Sequence, residues 1–319
     1  MKRASRGRLA SHTGRSACIA ALLLAGACRD DVPIPSVGGS SGDGGQGGAG
    51  EGGAPSGGAP PGALIMSWNL ETFPKSGDTV EKASAAIKSL QPALLGVVEV
   101  DDTGTFSSMV GDLPGYAHVL NDDPGAFTHV GLVFDESRVS IGEVDTLFQG
   151  DSYAFPRPPL RATVHLTLDD GSEFDFVAIV LHLKAMVDED SEARRRDAVE
   201  KLDQYLRGQL ELGEQDDFIL LGDFNDKIDD PPQWNVFGPF LDAPDTYSFL
   251  TESVAESGDY SYIPFTSLID HMLVTNGALG ELGGEAAQVF HLEDQIGAYE
   301  STVSDHLPVG IYATGTASR

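Results

Sequence analysis

The chain of 319 residues holds only two cysteines, Cys18 and Cys28, and it is short of cations, with 20 Lys plus Arg against 49 Asp plus Glu. Both cysteines lie near the N-terminus, so the bulk of the chain has no thiol and no disulfide framework. A domain without cross-links must rest on its hydrophobic core, and this chain is long enough to build one. The shortage of cations sharpens along the chain. The first 28 residues carry five basic residues (Lys2, Arg3, Arg6, Arg8, Arg15) and no acid, which leaves 15 basic against 49 acidic residues from Cys28 onward, a net of −34. A chain so charged does not grip nucleic acid tightly through a basic surface, because phosphate neutralisation supplies most non-specific affinity. It remains compatible with an enzyme that meets phosphate esters through a bound metal ion, since the ion supplies the missing positive charge. The hydrophobic fraction of 41% and charged fraction of 22% are ordinary for a globular protein.

The basic start runs into the apolar stretch ACIAALLLAGA, Ala17 to Ala27. A bilayer span needs about 20 apolar residues, so this stretch fits the core of an export signal instead. It ends in LAGAC, which resembles the lipobox of a bacterial lipoprotein, with Ala25 where Leu is usual. Residues 1–28 are therefore expected to be a signal with Cys28 as the lipidated residue; a plain secretory signal cut near Ala27 is the alternative. The expected location is extracytoplasmic, either lipid-anchored to a bacterial membrane or secreted. Residues 29–62 read as a tether, for thirteen of the 25 residues from Gly38 to Gly62 are Gly. Such a segment buries too little apolar surface to order itself. Residues 63–319 then form a single domain, expected to be monomeric and to meet a membrane only through the lipid anchor.

Within that domain short apolar runs end in polar residues: LIMSWN at Asn69, ALLGVVE at Glu99, FVAIVLH at His182, FILLGD at Asp223, and SLID at Asp270 running into HMLV. Asp305 and His306 precede LPVGIYA. Runs of this length and composition read as buried strands. THVGLVFD and RATVHLTLDD add two more, and Asp170-Gly171 marks a hairpin into EFDFVAIVLH. Helical spacing appears in Thr79–Gln91, with Ala83, Ile87 and Leu90 on one face, and in Ser191–Leu212, with Val199, Leu202, Leu206 and Leu210. These elements predict an α/β fold of two packed sheets with helices on the outer faces. Polar strand ends would then meet at one rim.

That rim would hold Asn69, Glu99, His182, Asp223, Asn225, Asp270, Asp305 and His306. Hard oxygen ligands with two histidines and no thiol suit Mg²⁺, Mn²⁺ or Ca²⁺ rather than structural zinc. A carboxylate-bound Mg²⁺ beside histidines can neutralise a phosphate and assist attack by water.

The ordered series SWNLE, VEV, HLK, GDFND, IDH and SDH resembles the endonuclease/exonuclease/phosphatase superfamily, over residues 64 to 312. The resemblance implies a four-layer sandwich of two mainly antiparallel sheets flanked by helices, and metal-dependent phosphoester hydrolysis with Mg²⁺ (or Mn²⁺ or Ca²⁺). It implies Glu99 as the principal metal ligand, with Asn69, Glu71 and Asp305 lining the metal site. Asp223 would deprotonate the attacking water, held by Asn225. His182 would contact phosphate oxygens, and His306 would bind the scissile phosphate with Asp270 fixing its tautomer. Val98 stands where the family usually has Gln before the metal-binding Glu.

Among the scarce cations, Arg157 in FPRPPL matches a position where family members keep an Arg near the phosphate, and Lys184 shares the face of His182. The run Arg194–Arg196 reads as a solvated stretch neutralised by Asp188, Glu189, Asp190 and Glu192. His271 would face away from the site. The segment DFNDKIDD lacks the Gly and Glu of a calcium loop. The leading expectation is an extracytoplasmic nuclease acting on DNA, and on RNA as a further substrate. The alternative is a lipid or small-molecule phosphodiesterase or phosphatase, for which Trp234, Phe237 and Phe240 would form an apolar hairpin. A surface binding module with a dead site is the third reading.

Overall fold

The computed structural model describes residues 62–123, 127–283 and 286–315. The expected signal, Cys28 and all of the Gly-rich tether but Gly62 lie outside the described residues. Twelve strands follow one another: β1 (Ala63–Phe73), β2 (Leu94–Val100), β3 (Tyr116–Leu120), β4 (His129–Asp135), β5 (Val139–Thr146), β6 (Leu160–Thr167), β7 (Glu173–His182), β8 (Phe218–Asp223), β9 (Tyr247–Phe249), β10 (Asp270–Thr275), β11 (Gln288–Val289) and β12 (Val309–Ala313). They form two six-stranded sheets, ordered β11-β12-β1-β2-β4-β3 and β5-β6-β7-β8-β10-β9. The pairings are antiparallel except at one place in each sheet, β1 with β2 and β7 with β8. Each parallel pair is joined by a long helix, α1 (Thr79–Leu90) in the first sheet. A shorter α2 (Thr103–Gly111) follows β2, and α3 (Glu189–Leu212) links β7 to β8. The architecture is the α/β sandwich that the sequence predicts.

The burial pattern shows why each run adopts its element. Along β7 and β8, Ala178, Val180, Ile219 and Leu221 pack into the core between the sheets. Val177, Ile179, Leu181, Phe218 and Leu220 alternate with them and pack under α3 against Ala198, Val199, Leu202 and Leu206. Strands covered on both faces read as continuous apolar runs. At about 25 cal/mol per Å² of apolar surface removed from water, each such Leu or Ile contributes roughly 1.5–3 kcal/mol. The helix α3 starts two residues before its expected Ser191, because Asp188 caps it by accepting from the Ser191 N–H at 3.0 Å. The Asp170-Gly171 hairpin forms as expected, joining Thr167 to Glu173 in register, with Gly171 at φ 83°.

Two expectations change. Phe237 and Phe240 are fully buried with Phe224, Phe249 and the outer face of the second sheet. They form core, not a membrane hairpin, and only Trp234 remains exposed. Arg195 is not solvated either. It is 3% exposed and pairs with Asp226 at 2.8 Å, while donating to the carbonyls of Lys184 and Met186. Arg194 binds the carbonyls of Ser152 and Tyr153, so only Arg196 keeps the expected partner, Glu192. The run is a set of struts because the first turns of α3 lie beside the loops that follow β7 and β8. Among the described residues no helix is long and apolar enough to cross a membrane.

Candidate active site

The two parallel pairs end at the same rim. In β1 and β2, Asn69 lies opposite Val98, one residue before Glu99. In β7 and β8, His182 lies opposite Asp223, and Asp223 lies opposite Asp270, the first residue of antiparallel β10. Asp305 and His306 arrive on the segment before β12, which pairs with β1. Ligand sites of α/β sheets commonly sit beyond the carboxyl ends of parallel strands, where side chains from distant positions converge.

Local backbone shape aims these groups. The β1–β2 ladder shifts register between Asn69 and Phe73, and β2–β4 shifts between Val97 and Val100. Glu99 takes φ 62° and Glu71 φ 42°, both left-handed. Such conformations persist only where surrounding structure imposes them, and they cluster at functional sites. Val98 is fully buried in the core, so the unusual residue before Glu99 does not enter the site. The Glu99 carboxylate is held instead by Asn69 Nδ2 at 3.3 Å and by the Thr72 N–H at 3.0 Å. Gly222, just before Asp223, sits at φ 146°, and a Cβ there would lie 1.9 Å from the Leu181 carbonyl oxygen. Glycine is required for β8 to lie that close to β7.

Asn69 is the hinge of the cluster. Its Nδ2 also donates to Asp223 Oδ2 at 3.0 Å, while its Oδ1 accepts the Glu71 N–H at 2.8 Å. Asp223 Oδ1 accepts the Asn225 N–H at 2.8 Å, and Asn225 Nδ2 donates to the Leu183 carbonyl. His306 Nδ1 contacts Asp270 Oδ2 at 2.7 Å, leaving Nε2 turned toward Asp223 and Asp305, 3.8 Å from each. The same Asp270 oxygen accepts from Ser261 Oγ at 2.6 Å. His182 is 1% exposed, and neither ring nitrogen has a hydrogen-bond partner among the described residues. Its Nε2 lies 3.6 Å from Glu99 and 3.8 Å from Asp223.

The electrostatics follow from burial and like charge. Burial raises Asp223, the Asp270 charge raises it further, and despite the opposing His306 its carboxyl reaches about 7. Asp305 is likewise pushed up to about 7, by burial first and by Glu71, against His306. Burial alone would lower His306, but the Asp270 and Asp223 carboxylates outweigh it and carry the imidazole up to about 10. His182 is pushed well down by burial, with Arg157 and His306 adding to the effect, and is neutral. Arg157 is half-buried, and burial lowers it against the pull of Glu99 and Asp223. Burial lowers Lys184, with Arg194 and Arg157 adding to it and Asp188 opposing, and its Nζ donates to the Ala185 carbonyl. Of the two cations expected at the phosphate, Arg157 thus stands beside the site acids, whereas the acid that acts on Lys184 is Asp188, just before α3.

The donor set fits a hard divalent cation. Glu99, His182 and Asp223 bring ligand atoms within 4.8 Å of one another, and so do Asp223, Asp270 and His306. Asp305 Oδ1 is buried without a hydrogen-bond partner among the described residues. Unpaired buried carboxylate and imidazole atoms are expensive unless a cation or substrate completes them. Glu71 is placed differently from the other acids, for its Oε2 is taken by Lys75 Nζ and by the Asp305 N–H. His271 faces away, bonded to Thr251 and to the Asp226 carbonyl.

Several supporting residues carried no signal in the sequence. Ser261 braces Asp270, and Ser304 Oγ donates to the Asn69 carbonyl at 2.6 Å. Trp68 Nε1 donates to Tyr299, whose hydroxyl donates to the His306 carbonyl. Asp226, the partner of Arg195, lies within GDFND, but the motif assigned it no role.

The profile of the Endonuclease/Exonuclease/phosphatase family matches residues 66–306. No curated protein matches the chain in sequence. Among solved structures, the human Nocturnin catalytic domain with bound sulfate anion is similar at 16% identity and TM-score 0.56, covering 79% of this chain and 93% of that one. An endonuclease/exonuclease/phosphatase from Bacteroides vulgatus is similar at 16% identity and TM-score 0.57, covering 78% and 97%. The 3′ phosphatase NExo from Neisseria, bound to product DNA hairpin, is similar at 16% identity and TM-score 0.56, covering 79% and 99%.

Proposed function

This chain belongs to the endonuclease/exonuclease/phosphatase family and is a metal-dependent phosphoester hydrolase; from that premise we propose that it is an extracytoplasmic nuclease, cleaving DNA phosphodiester bonds by attack of water. The observation that carries the choice of substrate is an aromatic ladder leading out of the site. The Tyr262 ring lies 4.8 Å from the His306 ring, and Phe265 stacks on Tyr262 at 5.8 Å and 28°. Phe265 is 76% exposed. A nucleobase next to the cleaved phosphate would find a flat apolar partner there, and such stacking is worth about 1–3 kcal/mol per base. The reading as a lipid hydrolase has lost its hairpin to the core.

In this proposal Glu99, Asn69 and Asp305 would hold a divalent ion, which would supply positive charge to the phosphate during attack. Asp223, oriented by the Asn225 and Asn69 N–H groups, accepts the proton of the attacking water at Oδ2. His306, kept cationic by Asp270, donates through Nε2 to a phosphate oxygen. Neutral His182 hydrogen-bonds a second oxygen through its free nitrogen. Arg157, drawn by Glu99 and Asp223, would face the same phosphate and supply there the positive charge that the chain lacks overall. The proposal extends to location on sequence alone: the basic start, the apolar run and Cys28 suit export and lipid anchoring.

The test is a plasmid-nicking assay with Mg²⁺, Mn²⁺ and EDTA lanes, run with the native protein and with Asp223→Ala and Phe265→Ser. Nicking that needs metal and vanishes in Asp223→Ala is expected. Phe265→Ser should weaken turnover of DNA but not of bis(4-nitrophenyl) phosphate. Turnover of the small diester with intact plasmid in every lane would retire the nuclease reading and leave the phosphoesterase.

A further inference from the structure

Beside the catalytic carboxylates lies a cavity of about 590 Å³, with Glu71, Glu293, Glu300 and Asp305 in its lining and Lys75 as the one cation there. Two carboxylate oxygens of this wall, Asp305 Oδ1 and Glu293 Oε2, are buried and have no hydrogen-bond partner among the described residues. A concentration of acids with open oxygens, next to a metal-binding cluster, is the setting in which a second divalent ion ordinarily gathers. Here the place is taken by the chain itself. Lys75 Nζ is bonded to Glu71 Oε2 and donates to the Glu300 carbonyl at 2.5 Å. Glu71 Oε2 accepts a second donor, the Asp305 N–H at 2.5 Å.

We propose that Lys75 is a fixed counter-ion standing where a second divalent cation would sit, so that this hydrolase takes one ion and not two. The proposal rests on the metal-dependent reading of the site. A divalent ion needs lone pairs on the oxygens that would ligate it. Glu71 Oε2 has committed its own to an ammonium and a backbone N–H, so an incoming ion would have to displace the lysine. The ammonium is held at both ends of the cavity wall, by a side chain of β1 and by the carbonyl of Glu300. It therefore brings a single positive charge to Asp305 without closing the cavity. Lys75 acts through Glu71 and Asp305 and is a positioning residue. Its neighbour Glu71 is a brace for Asp305, not a metal ligand.

The experiment counts ions directly. Mn²⁺ would be titrated into the purified protein, with free Mn²⁺ read by electron paramagnetic resonance and heat by calorimetry. The native protein should bind one ion. Lys75→Met, which keeps the length of the stem and removes the charge, should bind two, and Lys75→Arg should return to one. In Lys75→Met, activity should keep rising with Mn²⁺ beyond the concentration that saturates the native protein. Two ions in the native protein, or one ion in a folded Lys75→Met, would overturn the proposal. If Lys75→Met does not melt cooperatively, Glu71→Gln decides the matter. Its amide oxygen can still accept the Asp305 N–H, so it should bind one ion; loss of that ion would make Glu71 a ligand and sink the idea. No Mn²⁺ bound by the native protein would instead remove the metal reading beneath it.

Discussion

His182 and Asp223 stand opposite each other at the ends of two parallel strands, yet the imidazole Nε2 stays 3.8 Å from the carboxylate. The pair is in register without being bonded. Register fixes the distance between the strands, and the gap leaves both groups free to meet a third party. The first prediction follows from this spacing. Asp223→Asn keeps the shape and, through its single amide oxygen, one of the two N–H contacts from Asn225 and Asn69, but cannot accept the proton of water. Its kcat should fall by about 10²–10⁴-fold, with stability lowered by no more than the roughly 1–3 kcal/mol of one lost buried contact. A drop in stability that matched the drop in rate would mean that Asp223 serves the fold.

Arg195 and Asp226 tie α3 to the GDFND loop at 2.8 Å, with Arg195 3% and Asp226 9% exposed. Burial raises the Asp226 carboxyl and Arg195 opposes it. Removing one partner of a buried pair strands the other, which costs about 3–5 kcal/mol. Arg195→Leu should lose that much in chemical denaturation. The double variant Arg195→Leu with Asp226→Leu should recover a large part of it. Equal loss in both would show that the carbonyl contacts to Lys184 and Met186, not the charge pair, carry the effect.

How the strands announced themselves explains what could be read before folding. Asn69, Glu99, His182, Asp223 and Asp270 each sit where an apolar run ends or begins, so the sequence pattern located them without any knowledge of pairing. The helices α1 and α3 were legible from spacing, because their buried faces repeat every turn. Lys75 was not, although it lies four residues from Glu71, because the end of β1 is irregular there and no period marks it. Arg195 looked like part of a charged surface because its partner lies 31 positions away. Ser261 and Ser304 are ordinary serines in the sequence, and only the third dimension sets them against Asp270 and Asn69. Contacts made by one polar atom across a long separation leave no periodic trace.

Gly222 gives a prediction about folding itself. Its φ of 146° and the Leu181 carbonyl 1.9 Å from a would-be Cβ allow no side chain. Gly222→Ala must push β8 from β7 just where His182 and Asp223 pair. The variant should be several kcal/mol less stable or fail to accumulate as folded protein. A melting curve equal to that of the native protein would contradict the backbone geometry described for β8.

His271 sets an acid-side limit on stability. Burial lowers its imidazole to about 4, with the Asp226 carbonyl and nearby carboxylates opposing. The unfolded chain binds the proton near 6.5. Between those two values the unfolded state holds more protons, so stability rises with pH there. The contribution is complete above about 6.5 and is lost as pH falls toward 4, amounting to about 3 kcal/mol by 1.36 kcal/mol per unit. His271→Gln should flatten the slope of unfolding free energy between pH 4 and 6.5. An unchanged slope would assign it to other groups.

Metal should stabilise this fold more than salt does. Asp223 and Asp305 are both pushed up to about 7, burial being the larger cause and neighbouring acids adding to it. Near neutral pH the cluster therefore holds charge against its own repulsion. A divalent cation among these groups favours the ionised forms and offsets that repulsion. It binds the folded chain, where Asn69 brings Glu99 and Asp223 together, and has no comparable site in the unfolded one. At a hundredfold excess over Kd the gain is about 2.7 kcal/mol. For a domain of this size that is a rise of roughly 5–10 °C in Tm. The rise should appear with Mg²⁺ or Mn²⁺, reverse with EDTA and shrink in Glu99→Gln. Sodium chloride at equal ionic strength should give far less, because it screens exposed charges but leaves buried ones nearly untouched. An identical rise with sodium chloride, or one that survives Glu99→Gln intact, would mean that the ions act on the acidic surface and not on this cluster.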